Sequence, residues 1–263
     1  MQPAARIAAA IELLDEILDG APAERSLTAW ARRSRFAGSK DRNAIRDYVY
    51  DALRCRRSFA ALGGAETGRG LMIGALKAQD LPLDEYFSGE GHAPAILTDE
   101  ERAGPLLADL PPAVRLDCPD WLFAMFKADL GDQAVAALDI LRQRAPIFLR
   151  VNSVKASVEE ALVALEADGI EAACVEGIET ALVVTANERR IRTSKAFERG
   201  LVELQDASSQ AAVLRLSGRG AALDYCAGGG GKSLALAALG YDVTAHDIDS
   251  KRMGDIPTRA LRA

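Results

Sequence analysis

The chain has 263 residues, enough for two or three domains with separate cores. Its 49% hydrophobic and 27% charged residues are the balance of a soluble globular protein, and no apolar run approaches membrane-spanning length. A net charge of −6 excludes a uniformly basic nucleic-acid binder, so any such role must rest on a local patch.

The first region reads as helices. Ile7, Ile11, Leu14 and Leu18 form an apolar stripe that Gly20 stops. Glu12, Asp15 and Glu16 lie inside that pattern, which argues against an export signal. A second helix is predicted near Ser26 to Phe36. A third, after Gly38-Ser39, carries Ile45, Tyr48, Val49, Ala52 and Leu53 on one face, and Gly63-Gly64 ends it or a short continuation. Thr67 to Ala78 gives another. Between Arg25 and Arg57 lie Arg25, Arg32, Arg33, Arg35, Lys40, Arg42, Arg46, Arg54, Arg56 and Arg57 against only Asp41, Asp47 and Asp51. Such a segment either neutralises phosphates or is a solvated helical face. Acids dominate the stretch that follows, up to Asp139.

Leu81 to Leu97 reads as loop, broken by Pro82, Gly89, Gly91 and Pro94. Thr98 with Glu101 is a capping box opening a short helix that includes Pro105. Asp120 is the expected cap of a helix containing Trp121, Phe123 and Phe126 and ending at Gly131; Gln133 to Gln143 gives one more. From Ile147 the period changes to that of a strand. Ser157 and Glu160 open a helix ending at Gly169. Strands at Glu171–Val175 and Ala181–Thr185, a short helix at Thr193–Arg199 and a strand at Leu201–Leu204 complete a β-α-β-β-α-β order. Ser208 to Ser217 is a helix.

The most informative stretch is Cys226-Ala227-Gly228-Gly229-Gly230-Gly231-Lys232. It lies between the apolar run Ala221–Tyr225 and the helical Ser233–Gly240. Glycines let a ligand approach main-chain N–H groups, and a helix start adds a positive dipole end. Asp247 closes the next apolar run about 20 residues on, a position from which a carboxylate accepts hydrogen bonds from ribose. A phosphate-binding P-loop needs glycine where Cys226 stands. The dinucleotide pattern started at Gly228 fails at Ser233, which weighs against a nicotinamide-dependent oxidoreductase. S-adenosylmethionine, which has no pyrophosphate to cradle, is the reading left standing.

The segment Asp224-Tyr225-Cys226-Ala227-Gly228-Gly229-Gly230-Gly231-Lys232-Ser233 resembles the first motif, D-x-C-A-A-P-G-G-K-T, of the RsmB/Fmu–NOP-type RNA cytosine-5 methyltransferases. Leu204–Gln210 resembles that family's Q-D-x-A-S-Q segment, Leu149-Arg150-Val151-Asn152 its L-R-V-N strand, and Asp247–Met253 its D-I-x-x-x-R-L motif. Gly228 and Gly229 stand where the family has Ala and Pro, so the loop is intrinsically floppier.

The resemblance implies an all-α NusB-like RNA-binding domain over 1–80, a helical linker region over 81–145, a small βαββαβ subdomain over 146–206, and over 207–263 the start of an α/β Rossmann-like methyltransferase domain. It implies S-adenosylmethionine as cofactor, held by Cys226, Ala227, Gly228, Gly229, Gly230, Gly231, Lys232, Asp247 and Arg252. It implies ribosomal RNA as partner, and a cytoplasmic monomer without metal or membrane. Two parallel strands are few for a doubly wound sheet, so the chain is expected to be the front part of a longer protein.

In the resembled family a cysteine thiolate adds to cytosine carbon 6, and its motif is of the D-x-P-C type. No such motif occurs here, so no catalytic residue is assigned and the chain by itself is expected to lack turnover. The alternative is a non-catalytic RNA-binding protein with a vestigial cofactor fold. Cys226 is expected to be packed under the loop rather than nucleophilic. Lys232 either points to the ligand or caps carbonyls. Asp224 is expected to bond loop N–H groups, and Trp30 and Trp121 to anchor cores. Cys55, Cys118, Cys174 and Cys226 share no C-x-x-C spacing, which weighs against a zinc site or redox pair and fits reduced thiols.

Overall fold

A computed structural model describes residues 1–263 and is mostly helical. The chain divides into two compact units, Met1–Arg144 and Ala145–Ala263.

The first unit is built on α1 (Pro3–Leu18), α2 (Ala23–Arg33), α3 (Ser39–Arg54), α4 (Arg56–Gly63) and α5 (Gly68–Ala78). Pro3 sits in the first turn of α1, where its missing N–H costs nothing. Ile7, Ala10, Leu13 and Leu14 of α1, Ile45 and Val49 of α3, and Leu71, Met72 and Ile73 of α5 are fully buried together. The buried face of α1 therefore includes Ala10 and Leu13, while Ile11 and Leu18 lie at its margin. Gly74 lets α5 cross α4 closely: a Cβ there would stand 2.0 Å from the Phe59 carbonyl oxygen. Thr67 caps α5 by accepting the Gly70 N–H, and Asp15 Oδ1 accepts the Gly68 N–H at 2.6 Å.

Short helices follow: α6 (Leu83–Tyr86), α7 (Asp99–Arg102) and α8 (Pro112–Arg115). The Thr98–Glu101 capping box is present, but α7 spans four residues and Pro105 lies beyond it. Glu101 also receives a two-pronged contact from Arg69, at 2.6 and 2.9 Å, which ties this connector to α5. Two longer helices, α9 (Asp120–Leu130) and α10 (Gln133–Arg142), pack against each other around Leu116, Cys118 and Leu138. The cap of α9 is Pro119, so Asp120 is its first helical residue rather than its cap. Trp30 is buried, but Trp121 is 67% exposed and anchors no core.

In the second unit, β1 (Ile147–Val151), α11 (Val158–Ala167), β2 (Glu171–Cys174), β3 (Ala181–Ala186), a 3-10 turn (Glu188–Thr193), α12 (Lys195–Glu198) and β4 (Val202–Leu204) follow in order. The four strands form one antiparallel sheet in the order β2-β3-β1-β4. Leu149 on the central β1 faces Leu182 and Leu204 across its two neighbours, and Leu165 of α11 seals the layer. The Ser157–Glu160 capping box opens α11 as the spacing predicts.

Next come α13 (Ala207–Leu214), capped by Asp206, then β5 (Gly220–Asp224), α14 (Gly231–Ala238), β6 (Tyr241–Ala245), a 3-10 turn (Ser250–Met253) and α15 (Ile256–Arg262). Strands β5 and β6 pair in parallel, with Asp224 opposite Ala245. A parallel pair joined by a helix is the minimal βαβ unit, and it brings both carboxyl-terminal strand ends to one edge.

Candidate functional site

That edge carries the glycine loop. Ala227 N–H donates to the His246 carbonyl at 2.9 Å and Gly230 N–H to the Ala227 carbonyl at 2.8 Å, closing a tight turn. Gly228 (φ 52°) and Gly230 (φ 79°) are in the left-handed region, where a side chain would be strained. Gly230 is the cap of α14 and supplies no side-chain acceptor, so the N–H groups of Gly231, Lys232 and Ser233 have no partner within the helix. They form a short row of donors with the dipole's positive end behind them. Asp224 bonds no loop amide; its Oδ2 accepts the Ser233 hydroxyl at 2.6 Å and pins the first turn of α14 to β5.

Asp247 is drawn into the loop from the end of β6. Its side chain is 2% exposed. Oδ2 accepts the Gly228 N–H at 2.9 Å, Oδ1 accepts the Asp249 N–H at 3.0 Å, and Arg252 Nη1 lies 3.5 Å from Oδ2. The Asp249 and Gly228 amides, helped by the Arg252 charge, hold its carboxyl below the usual carboxylate range against the opposing pull of burial. Asp249 instead turns to the Lys251 N–H at 2.9 Å. His246 stacks on Tyr225 with ring centroids 4.8 Å apart, and its Nδ1 lies 3.0 Å from the Tyr225 carbonyl oxygen.

The structure thus brings Cys226, Ala227, Gly228, Gly229, Gly230, Gly231, Lys232, Asp247 and Arg252 to one strand edge. Cys226 and Lys232 are exposed, so Cys226, contrary to expectation, is not packed beneath the loop. The other thiols lie elsewhere: Cys174 is exposed on β2, and burial pushes the Cys55 and Cys118 thiols up. No group of three or more His, Cys, Asp or Glu is arranged to hold a metal. No helix is long and apolar enough to cross a membrane.

Sequence reasoning missed the residues that hold the loop from outside. Arg259 of α15 donates to the Gly229 carbonyl and reaches Glu203 of β4 at 3.4 Å. Arg262 donates to the same Glu203 oxygen at 2.6 Å and lies over the Phe197 ring, 3.9 Å from its centroid. Ile256 packs on Gly230. Nothing in spacing or composition links Gly229 to Arg259, 30 positions on, or Glu203 to Arg259 and Arg262, 56 and 59 positions on.

In the first unit, half of the basic cluster is engaged in ion pairs: Arg33 with Glu16, Arg46 with Glu24, Arg54 with Asp51, Arg56 with Glu66 and Arg57 with Asp120. Arg25, Arg32, Arg35 and Lys40 are exposed without such partners, and Phe36 between them is 75% exposed. An aromatic among arginines was the overlooked signal, since bases stack on such rings. An open cleft of about 1070 Å³ lies beside Phe36, lined in part by Trp30, Tyr86 and His92; none of the sequence-predicted cofactor residues borders it.

Known proteins resemble this chain. Residues 118–189 match the family described as "Methyltr_RsmF/B-like, ferredoxin-like domain", and strands β1 to β3 of the antiparallel sheet fall within that range. That stretch thus resembles a domain of the RsmF/B-like methyltransferases. It is 34% identical over 139 residues to Ribosomal RNA small subunit methyltransferase B of Xylella fastidiosa (strain Temecula1), covering 51% of this chain and 32% of that protein. It is 35% identical over 148 residues to the protein of the same name from Yersinia enterocolitica, covering 55% and 34%. The matches thus span about a third of the length of these curated relatives. Among solved structures, "Crystal Structure of PH0851" superposes with a TM-score of 0.68 at 21% identity, over 100% of this chain and 67% of that one. A methyltransferase homolog protein from Pyrococcus horikoshii does so with a TM-score of 0.50 at 21% identity, over 63% and 53%.

Proposed function

We propose that the chain binds S-adenosylmethionine at its glycine loop and serves in methylation of carbon 5 of a cytosine in ribosomal RNA. The observation that carries this reading is the junction of Gly228 with Asp247: a loop of left-handed glycines locked by the buried acid at the neighbouring strand end. The residues fit a nucleoside cofactor. The donors at the start of α14 suit its carboxylate or hydroxyls. Asp247 retains lone pairs for ribose once Arg252, which is 62% exposed, swings aside. Exposed Lys232 would meet the ligand's carboxylate or an RNA phosphate.

When bound, that cofactor supplies an electrophilic methyl group. The chain's own residues would do the rest of the holding. Residues 207–263 would form the cofactor-binding, Rossmann-like part and 146–206 the small subdomain. Residues 1–80, read as a NusB-like domain, would dock RNA through Arg32, Arg35, Phe36 and Lys40, with 81–145 as linker and the chain acting as a monomer. These 263 residues contain no D-x-P-C segment, so the chain alone would not turn over.

Calorimetry with S-adenosylmethionine tests the first step, with micromolar binding expected for the wild type and a loss for Asp247→Asn. Incubation with cofactor and ribosomal RNA, read by mass spectrometry, is expected to yield no 5-methylcytosine; enzymatic product would overturn the assignment of no catalytic residue. Absence of cofactor binding would leave an RNA-docking protein.

A further inference from the structure

The glycine quartet poses a physical problem. Four consecutive glycines, Gly228 to Gly231, have more conformational freedom to lose than any other tetrapeptide. The resembled motif has Ala-Pro at 228 and 229, and a proline fixes φ within the chain. Here the stiffness must come from elsewhere.

We infer that Arg259 is a positioning residue that replaces the missing proline, and that Glu203 is its anchor. The inference rests on the cofactor-loop reading above and adds to it the residues that preset the loop. Arg259 is the only side chain that bonds the Gly229 carbonyl. Its Nε lies 3.4 Å from Glu203, whose side chain is 7% exposed on β4 and which also takes Arg262 at 2.6 Å. The loop is thereby referenced to the four-stranded sheet as well as to its own backbone and Asp247.

Three further contacts keep α15 in place for this. Asn152 Nδ2 donates to the Ala263 carbonyl at 2.8 Å, Lys155 Nζ to the Arg262 carbonyl at 2.6 Å, and Ile256 packs so closely on Gly230 that a Cβ there would stand 2.8 Å from it. The two devices also crowd each other. Gly229 does not have a left-handed φ, so its backbone admits a side chain, but a Cβ built there would lie 3.1 Å from Arg259 Nη1. A proline at 229 would press on the guanidinium, which would have to give by a few tenths of an ångström.

The test is a double-mutant cycle on the full chain, with Arg259→Ala made in the wild type and in a Gly229→Pro background. Amide exchange of residues 227–231, without cofactor, is read against that of β1 and β3. A charge-assisted hydrogen bond of this kind predicts roughly tenfold faster loop exchange in Arg259→Ala, with the sheet unchanged. Glu203→Gln, which keeps the side chain's shape, should give a smaller increase of the same kind. Affinity for S-adenosylmethionine should fall roughly tenfold when Arg259→Ala is made in the wild type and only about twofold when it is made in the Gly229→Pro background. Unchanged loop exchange in Arg259→Ala, or an equal loss in both backgrounds, overturns the inference. If the wild type does not bind the cofactor, the cofactor-loop reading falls, while the exchange measurement still decides whether Arg259 holds the loop.

Discussion

The two sheets of the second unit are stabilised in opposite ways. The four-stranded sheet is held by packing: Leu149, Leu165 and Leu182 are fully buried, and β1 pairs with both its neighbours in regular antiparallel register. No residue of β5 or β6 is buried to that degree; Leu223 is 61% exposed, and Tyr225 just beyond β5 is 66% exposed. What fixes this second sheet's loop-bearing edge is a set of directed polar contacts at Asp224, Asp247 and Arg259. Packing gives a rigid platform. Polar tethers give a defined loop that can exchange one hydrogen-bond partner for another, which is what a ligand site needs.

The largest expected effect comes from the packed side. Leu182→Ala removes a side chain wedged opposite Leu149 and Cys174 and should cost about 2–5 kcal/mol, read as a drop in urea midpoint and faster exchange across β1 to β3. A cost below about 1 kcal/mol would mean that the sheet is not the platform described here.

A polar tether in the first unit gives a middle case. The Arg69 guanidinium, above all, with the Thr98 N–H and nearby Lys77, lowers the Glu101 carboxyl to about 2 from its ordinary 4.5. A carboxyl depressed in the folded state adds stability that is fully present above its unfolded value and is lost as pH falls through the folded one. Glu101→Gln should therefore cost on the order of 2 kcal/mol at pH 7, from the lost charge-assisted bonds. The gap between variant and wild type should close between about pH 4.5 and 2. A gap that stays constant over that window would show that the Arg69 pair contributes little.

How much of this was legible in the sequence follows the same division. Local chemistry was readable: the boxes Thr98/Glu101 and Ser157/Glu160, the β-α-β-β-α-β order, the glycine loop and the acid at the end of β6 all lie within short stretches. Tertiary reach was not. Asp120 has the residue type of a cap, but Pro119 holds that position. Trp121 has the type of a core anchor, but α9 turns it outward. Arg259 and Glu203 are ordinary surface residues to any periodicity argument. Only the fold sets one against a loop carbonyl and buries the other.

Asp247→Asn tests the second sheet's tether itself. The aspartate's two amide bonds and the Arg252 contact depress its carboxyl below the ordinary 3.8, so its contribution is present above that pH and is lost as pH falls through the lower folded value. The variant should speed amide exchange at Gly228 and Asp249 near neutral pH and match the wild type in strong acid. Global stability should move less than in Glu101→Gln, because few apolar contacts depend on this loop. A large global loss with slow local exchange would place Asp247 in the core's cooperative unit rather than in a separate tether.

The smallest effect is expected at Leu223→Ala, and it sharpens the comparison most. The side chain is 61% exposed on a strand with no buried residue, so its removal from this chain should change stability by less than about 0.5 kcal/mol. The same Leu-to-Ala chemistry at Leu182 costs several times more, and the ratio measures how much of each sheet rests on burial. If Leu223→Ala instead cost more than about 2 kcal/mol, the exposed face of β5 would have to be covered in solution. Repeating the measurement across a hundredfold range of protein concentration would then separate cover by a second copy, which makes stability concentration-dependent, from cover within one chain, which does not.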